Sequence, residues 1–186
     1  NAYSNLESKT NPKLASKLFT TERENETFKL ISLCEESDII KVSGPSLEES
    51  YGFVLSTIFE TNNKNLQSRL IVCNDIGSLF EADSLTNNKI FLLAAPMESS
   101  NFNLKNKCIL LFGNKTYNQN VDIKLVTRPQ NCIFDVLQND MNIPQNKLSI
   151  LQHKAKNNIM LIIRELSSKG NLEINNWLKD PELIRL

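Results

Sequence analysis

The residues best placed to do chemistry lie where a β-rich run, Asp38-Ile39-Ile40-Lys41-Val42-Ser43, gives way to Gly44-Pro45 and then to a helical stripe. A phosphate-binding loop occupies this kind of place. Its glycines let the backbone wrap the phosphates, a lysine meets their charge, and a Ser or Thr hydroxyl holds magnesium. Ser43, Gly44, Ser46 and Ser50 are the candidate contacts here. Aligned on Gly44, however, the second glycine falls on Glu49, the lysine on Ser50 and the hydroxyl on Tyr51. Glu48 and Glu49 would then face the phosphates with no cation to neutralise them, a large repulsion in a partly dry site. Gly44 and Ser46 also have a plainer reading, as a turn and a helix N-cap, because Ser46 and Glu49 show capping-box spacing. On that reading Glu48 and Glu49 complement the helix dipole.

Nucleotide hydrolysis needs a carboxylate at a strand end to organise magnesium and water. Phe91-Leu92-Leu93-Ala94-Ala95 offers alanines there. Asn114 reads as a turn residue or a polar sensor, and Asp75 as a turn residue or an acid. Other chemistries find less. Cys34, Cys73, Cys108 and Cys132 have no close pair, against the spacing of a zinc site, and read as buried free thiols. A thiol nucleophile needs a base, and the single histidine, His153, lies far along the chain on a polar helical stretch. Gly44-Pro45-Ser46-Leu47-Glu48 lacks the second glycine of a serine-hydrolase elbow. No catalytic residue and no metal site is therefore expected. Arg128, ahead of Pro129, and Arg164 read as contacts of a C-terminal lid or as solvated charges. Trp177 reads as an anchor for the tail.

Apolar runs starting near Ile39, Leu70, Ile90 and Ile109 are nearly continuous, as in parallel strands buried on both faces, and a fifth begins near Ile123. Between them run helical patterns. One spans about Glu22–Cys34, opened by Thr21 and Glu24 at capping-box spacing. A second follows Ser46, with Leu47, Tyr51, Val54, Leu55 and Ile58 on one stripe, and a third covers Ile76–Leu85. After Gln130 only helical periodicity remains. The pattern predicts an α/β fold: a mainly parallel five-stranded sheet sandwiched by helices, followed by a small C-terminal helical lid. Residues 1–13 read as a flexible arm or the remnant of an expression tag, 14–129 as the α/β domain, and 130–186 as the lid packed on it. The chain has 186 residues, with 21 basic and 21 acidic side chains. That balance argues against nucleic acid as a partner. No apolar run approaches the roughly 20 residues of a membrane span.

Several pieces taken in order resemble the nucleotide-binding core of bacterial STAND-type P-loop ATPases, a signal-transduction class that includes many phage-defence proteins. They are Leu18-Phe19-x-x-x-Arg23-x-x-Glu26, the strand and loop Ile39–Ser46, and the strands at 70–73, 90–95 and 108–112. Leu125-Val126-Thr127-Arg128-Pro129 and the helical lid complete them. The stretch Lys154–Arg164 is similar to the lid helix that carries a nucleotide-facing arginine in that class. The resemblance spans about residues 18–186 and is one of layout. It implies that the first strand lies centrally, beside the strand at Cys108–Phe112. The missing lysine, hydroxyl and strand-end acid point away from hydrolysis. The expectation is a non-catalytic, cytoplasmic scaffold or regulatory domain of a larger bacterial protein. It would have no cofactor, and neighbouring domains would be its partners. The alternatives are a nucleotide switch binding ATP and magnesium through backbone amides, Ser43, Ser46 and Ser50, or a thiol or serine hydrolase of another α/β class.

Overall fold

The computed structural model describes residues 17–60, 64–73, 75–94, 103–113, 120–140, 142–156 and 158–168. They form two compact units, one of residues 24–126 and one in which residues 17–23 join those from 127 onward.

The first unit holds five strands: β1 (Ile39–Ser43), β2 (Leu70–Cys73), β3 (Ile90–Ala94), β4 (Lys107–Phe112) and β5 (Ile123–Lys124). They form one sheet in the order β2-β3-β4-β1-β5, and every pairing is parallel. β1 is thus internal, beside the strand at Cys108–Phe112. All residues of β4 after Lys107 are buried, as are the first four of β3. Such strands need cover on both faces. On one face Cys73, Phe91, Leu93, Cys108, Leu110 and Phe112 form a core cluster with Leu79. Leu79 comes from α4 (Ile76–Leu85), which packs on β2 and β3. Strand alternation puts Ile40, Val42, Leu92, Ile109 and Leu111, also buried, on the other face.

Helix α1 (Glu24–Glu36) packs on α2 (Leu47–Glu60) and on β5, and α2 packs on β1 and β4. α2 begins where Ser46 caps it, its Oγ accepting the Glu49 amide at 3.1 Å. Phe53, Val54, Leu55 and Ile58 of α2 are buried. A short helix, α3 (Lys64–Arg69), precedes β2. The polar spacing of this stretch did not predict it, because Leu66 is its one apolar side chain. Basic groups close several turns at the start of the strands. Lys107 Nζ donates to the Glu35 and Ser37 carbonyls at the end of α1, and Arg69 Nε to the Asn88 carbonyl. Cations suit these carbonyl-rich ends.

The second unit holds a helical turn over residues 17–20 and three helices, α5 (Gln130–Asn139), α6 (Gln145–Ala155) and α7 (Ile159–Ser168). α5 packs on α6 and α6 on α7. Their buried residues repeat at three and four: Ile133, Phe134 and Leu137, then Leu148, Leu151 and Ala155, then Ile159, Ile162 and Ile163. The capping box expected at Thr21 is not formed. Residues 17–20 are already helical, and Glu22, at φ 58°, ends that turn, so α1 starts at Glu24. Trp177 and the tail lie outside the described residues.

Candidate functional site

The sheet order sets where a ligand would be sought. The chain leaves β1 toward β2 and leaves β4 toward β5, in opposite directions from neighbouring strands. In open parallel sheets the crevice beyond the carboxyl ends of such a pair is the usual binding place. Here those ends are Ser43-Gly44 and Phe112-Gly113.

The connection from β1 to α2 is three residues, 44–46. A phosphate-binding loop stays non-helical for longer, and that is what lets its amides surround an anion. Here Ser46 starts the helix and folds the next residues into its first turn. Its Oγ takes the Glu49 amide and its carbonyl the Ser50 amide. The loop then closes onto β4. The Gly44 amide donates to the Phe112 carbonyl at 3.2 Å. Ser50 Oγ lies 3.0 Å from that same carbonyl and 3.2 Å from the Ser46 carbonyl. The packing leaves no slack. A Cβ on Gly44 would stand 2.5 Å from Ser50 Oγ, and one on Gly113 would stand 3.1 Å from the Leu47 backbone nitrogen.

Each candidate contact therefore has a structural job. Ser43 ends β1, and its carbonyl accepts the Leu125 amide at 2.7 Å. Gly44 is buried, Ser46 is an N-cap, and the Ser50 hydroxyl is spent on main-chain carbonyls where a lysine would otherwise reach phosphate. Glu49 is buried and Glu48 half-buried in the first turn of α2, so negative charge already occupies that helix end. Asn114 lies outside the described residues. Asp75 is the N-cap of α4, its Oδ1 accepting the Ser78 amide at 2.7 Å. That bond holds its carboxyl below the ordinary range.

The two arginines belong to the second unit. Arg128 is buried, with Nη1 donating to the Thr21 carbonyl at 2.8 Å and Nη2 to the Leu18 carbonyl at 2.7 Å. It clasps the end of the 17–20 helical turn. Arg164 falls on α7, and its side chain lies outside the described residues. The thiols are poorly suited to nucleophilic work. Burial pushes Cys108 up to about 12 and Cys34 up to about 11, and it raises Cys73 as well. A thiol acts as a nucleophile only as its thiolate. Cys132 is half-buried, and His153 is exposed in the last turn of α6. Among the described residues no group of three metal-ligating side chains comes together, and no helix is long and apolar enough to cross a membrane.

A second polar centre escaped the sequence reading. Asp83 is buried on α4, one turn beyond Leu79. Its Oδ2 accepts the Lys105 amide at 2.9 Å, and its Oδ1 accepts the Asn106 amide and the Asn106 Nδ2 group, both at 2.8 Å. Asn106 in turn accepts the Lys89 amide at 2.9 Å and donates to the Thr86 carbonyl at 3.0 Å. The pair ties the end of α4 to the starts of β3 and β4. Burial pushes the Asp83 carboxyl up, but the donated hydrogen bonds outweigh it and hold the group below its ordinary range. The signal was present in the spacing: Leu79 and Asp83 stand four apart, so an acid sits on the buried stripe. Asp83→Ala should cost about 2–3 kcal/mol, because buried donors lose a charged acceptor. With its folded pKa depressed, Asp83 contributes fully above the unfolded carboxylate range and loses that contribution as pH falls through the folded value. Urea melts between pH 7 and pH 3 should show this acid limb flattened in Asp83→Asn. An unchanged limb would assign it to other carboxylates.

No protein-family model matches the chain, and no curated protein matches it.

Proposed function

We propose that this chain is a non-catalytic P-loop-like domain of the STAND class, part of a larger bacterial signalling or phage-defence protein, where it serves as a scaffold or regulatory module for neighbouring domains. The observation that carries this reading is the closed β1–α2 connection. Gly44 and Ser50 bond the Phe112 carbonyl at the sheet's switch point, where a nucleotide's phosphates would otherwise lie. The parallel sheet with β1 between β4 and β5 supports the P-loop-like layout. The buried Glu49, in place of the second loop glycine, supports the loss of nucleotide chemistry. The partners are other domains of a cytoplasmic polypeptide.

The test is a thermal-shift titration with millimolar ATP, GTP and magnesium. A ligand at a hundred times its dissociation constant adds about 2.7 kcal/mol, which moves a melting point by several degrees. The expected trace is flat. A shift that disappears in Gly44→Asp would instead favour a nucleotide switch that uses backbone amides, Ser43, Ser46 and Ser50 in place of lysine.

A further inference from the structure

The break between α6 and α7 falls where the sequence holds no helix breaker. Pro144 opens α6 and Gly170 follows α7, but no glycine or proline stands anywhere from 145 to 168. Those two residue types ordinarily stop a helix. Here a turn is closed by the Asn158 amide, which donates to the Ala155 carbonyl at 2.9 Å. Lys156, directly after α6, has φ 49° and ψ −120°. Those are the angles of the first central residue of a type II′ turn, a position that calls for glycine. The lysine Cβ strains the backbone there, and such strain persists only where the surroundings impose it. Asn158 supplies part of that hold by capping α7, its Oδ1 accepting the Leu161 amide at 3.1 Å. The surface pair Lys154–Glu165, at 3.9 Å across the turn, adds little.

The apolar pattern of one helix runs straight through this break. The buried residues Leu148, Leu151, Ala155, Ile159 and Ile162 follow one another at intervals of three, four, four and three. On a single helix they would form one unbroken stripe along one face. Two helices joined by a turn have no need to keep phase in this way. Straightening residues 145–168 would also relieve Lys156, since lysine is a good helix former. In one chain alone it would lift α7 off α6 and bare Ile159, Ile162 and Ile163, which are buried in the bent form. A second copy removes that obstacle, because its α6 presents the surface that α7 already fits. Exchange of an identical element keeps the helix packing of the single chain, and a short strained hinge invites it.

We propose that two copies of this chain exchange α7: in the dimer residues 145–168 of each run as one helix, opened at Lys156, and each α7 packs on the α6 of the other copy. This stands independently of the nucleotide question. Refolding the full chain from urea at rising protein concentration should give a growing dimer fraction in sedimentation. Lys156→Gly relaxes the turn and weakens the long helix, so it should lower the association constant about tenfold or more. Asn158→Ala removes the α7 cap and favours the long helix, so it should raise that constant by a similar factor. Circular dichroism must show both variants folded. Should Asn158→Ala fail to fold, Lys156→Gly, which favours the turn, still decides. The exchange itself is read with Lys154→Cys/Glu165→Cys in a Cys132→Ser background, the other three cysteines being buried. A short bis-maleimide should join the two sites within one chain in the monomer fraction and between chains in the dimer fraction. A chain that stays monomeric at about 100 micromolar, where even weak specific pairs assemble, overturns the proposal. So does a dimer indifferent to Lys156→Gly, or one whose cross-links stay within single chains.

Discussion

Arg128→Ala should destabilise the helical unit by about 3–5 kcal/mol, since two hydrogen bonds from a charged donor are lost at about 1.5–3 kcal/mol each. The guanidinium reaches two carbonyls at the end of one helical turn, those of Leu18 and Thr21, at 2.7 and 2.8 Å. A helix end leaves such carbonyls without partners inside the helix, so something must donate to them. Glu22 reverses the chain with φ 58°, and Arg128 fills the gap this reversal leaves. Arg128→Lys should recover only part of the loss, because an ammonium cannot present two donors in a planar fork. Urea unfolding followed by circular dichroism measures the total. Amide exchange at residues 17–21 shows whether that turn loosens first. A change below about 1 kcal/mol in Arg128→Ala, the size of one ordinary hydrogen bond, would mean that packing holds the turn without the clasp. The surface salt bridge Lys17–Asp140, at 2.8 Å, is no substitute, because exposed pairs contribute little.

The strands were readable because parallel strands buried on both faces must be apolar almost without interruption. Ile39, Leu70, Ile90 and Ile123 open their strands as expected, and β4 starts two residues before Ile109, at Lys107. Ser46 was readable as a cap because the capping contact lies within four residues. The spacing at Thr21 and Glu24 misled for the same local reason. The capping signature was there, but the chain was finishing an earlier helical turn, which no short window shows. What was not legible is contact across long separations. Ser50 meets Phe112 from 62 residues away, and Arg128 meets Leu18 from 110. Aligning the loop showed that lysine was missing at Ser50. It did not show that the hydroxyl had taken over a structural bond there. Asp83 was hidden in the same way, because its partners, Lys105 and Asn106, lie in the bend just before β4, beyond the whole of β3.

The second large effect concerns Ser50, where two substitutions separate a closed loop from an empty one. Ser50→Lys restores the lysine of a phosphate-binding loop at the matching position. In a loop that is merely vacant this would be tolerated, and nucleotide would then stabilise the protein. Here Ser50 is 0% exposed, and its hydroxyl fits against the Phe112 and Ser46 carbonyls. A lysine there overfills a packed site, at about 1–3 kcal/mol, and buries an ammonium whose effective desolvation is several kcal/mol more. Glu49 is no remedy, since neighbouring residues on a helix do not face each other. The sum, about 4 kcal/mol or more, approaches the whole stability of an ordinary domain of about 5–15 kcal/mol. Ser50→Ala provides the scale. It removes one neutral hydrogen bond to a carbonyl that still receives the Gly44 amide, so it should cost only about 1 kcal/mol. Urea midpoints for wild type, Ser50→Ala and Ser50→Lys should therefore fall in that order, with a wide gap before the last. Adding ATP and magnesium should not rescue it. If Ser50→Lys unfolds near the wild-type midpoint and nucleotide raises that midpoint further, the connection opens more readily than its hydrogen bonds imply. The nucleotide-switch reading would then replace the scaffold.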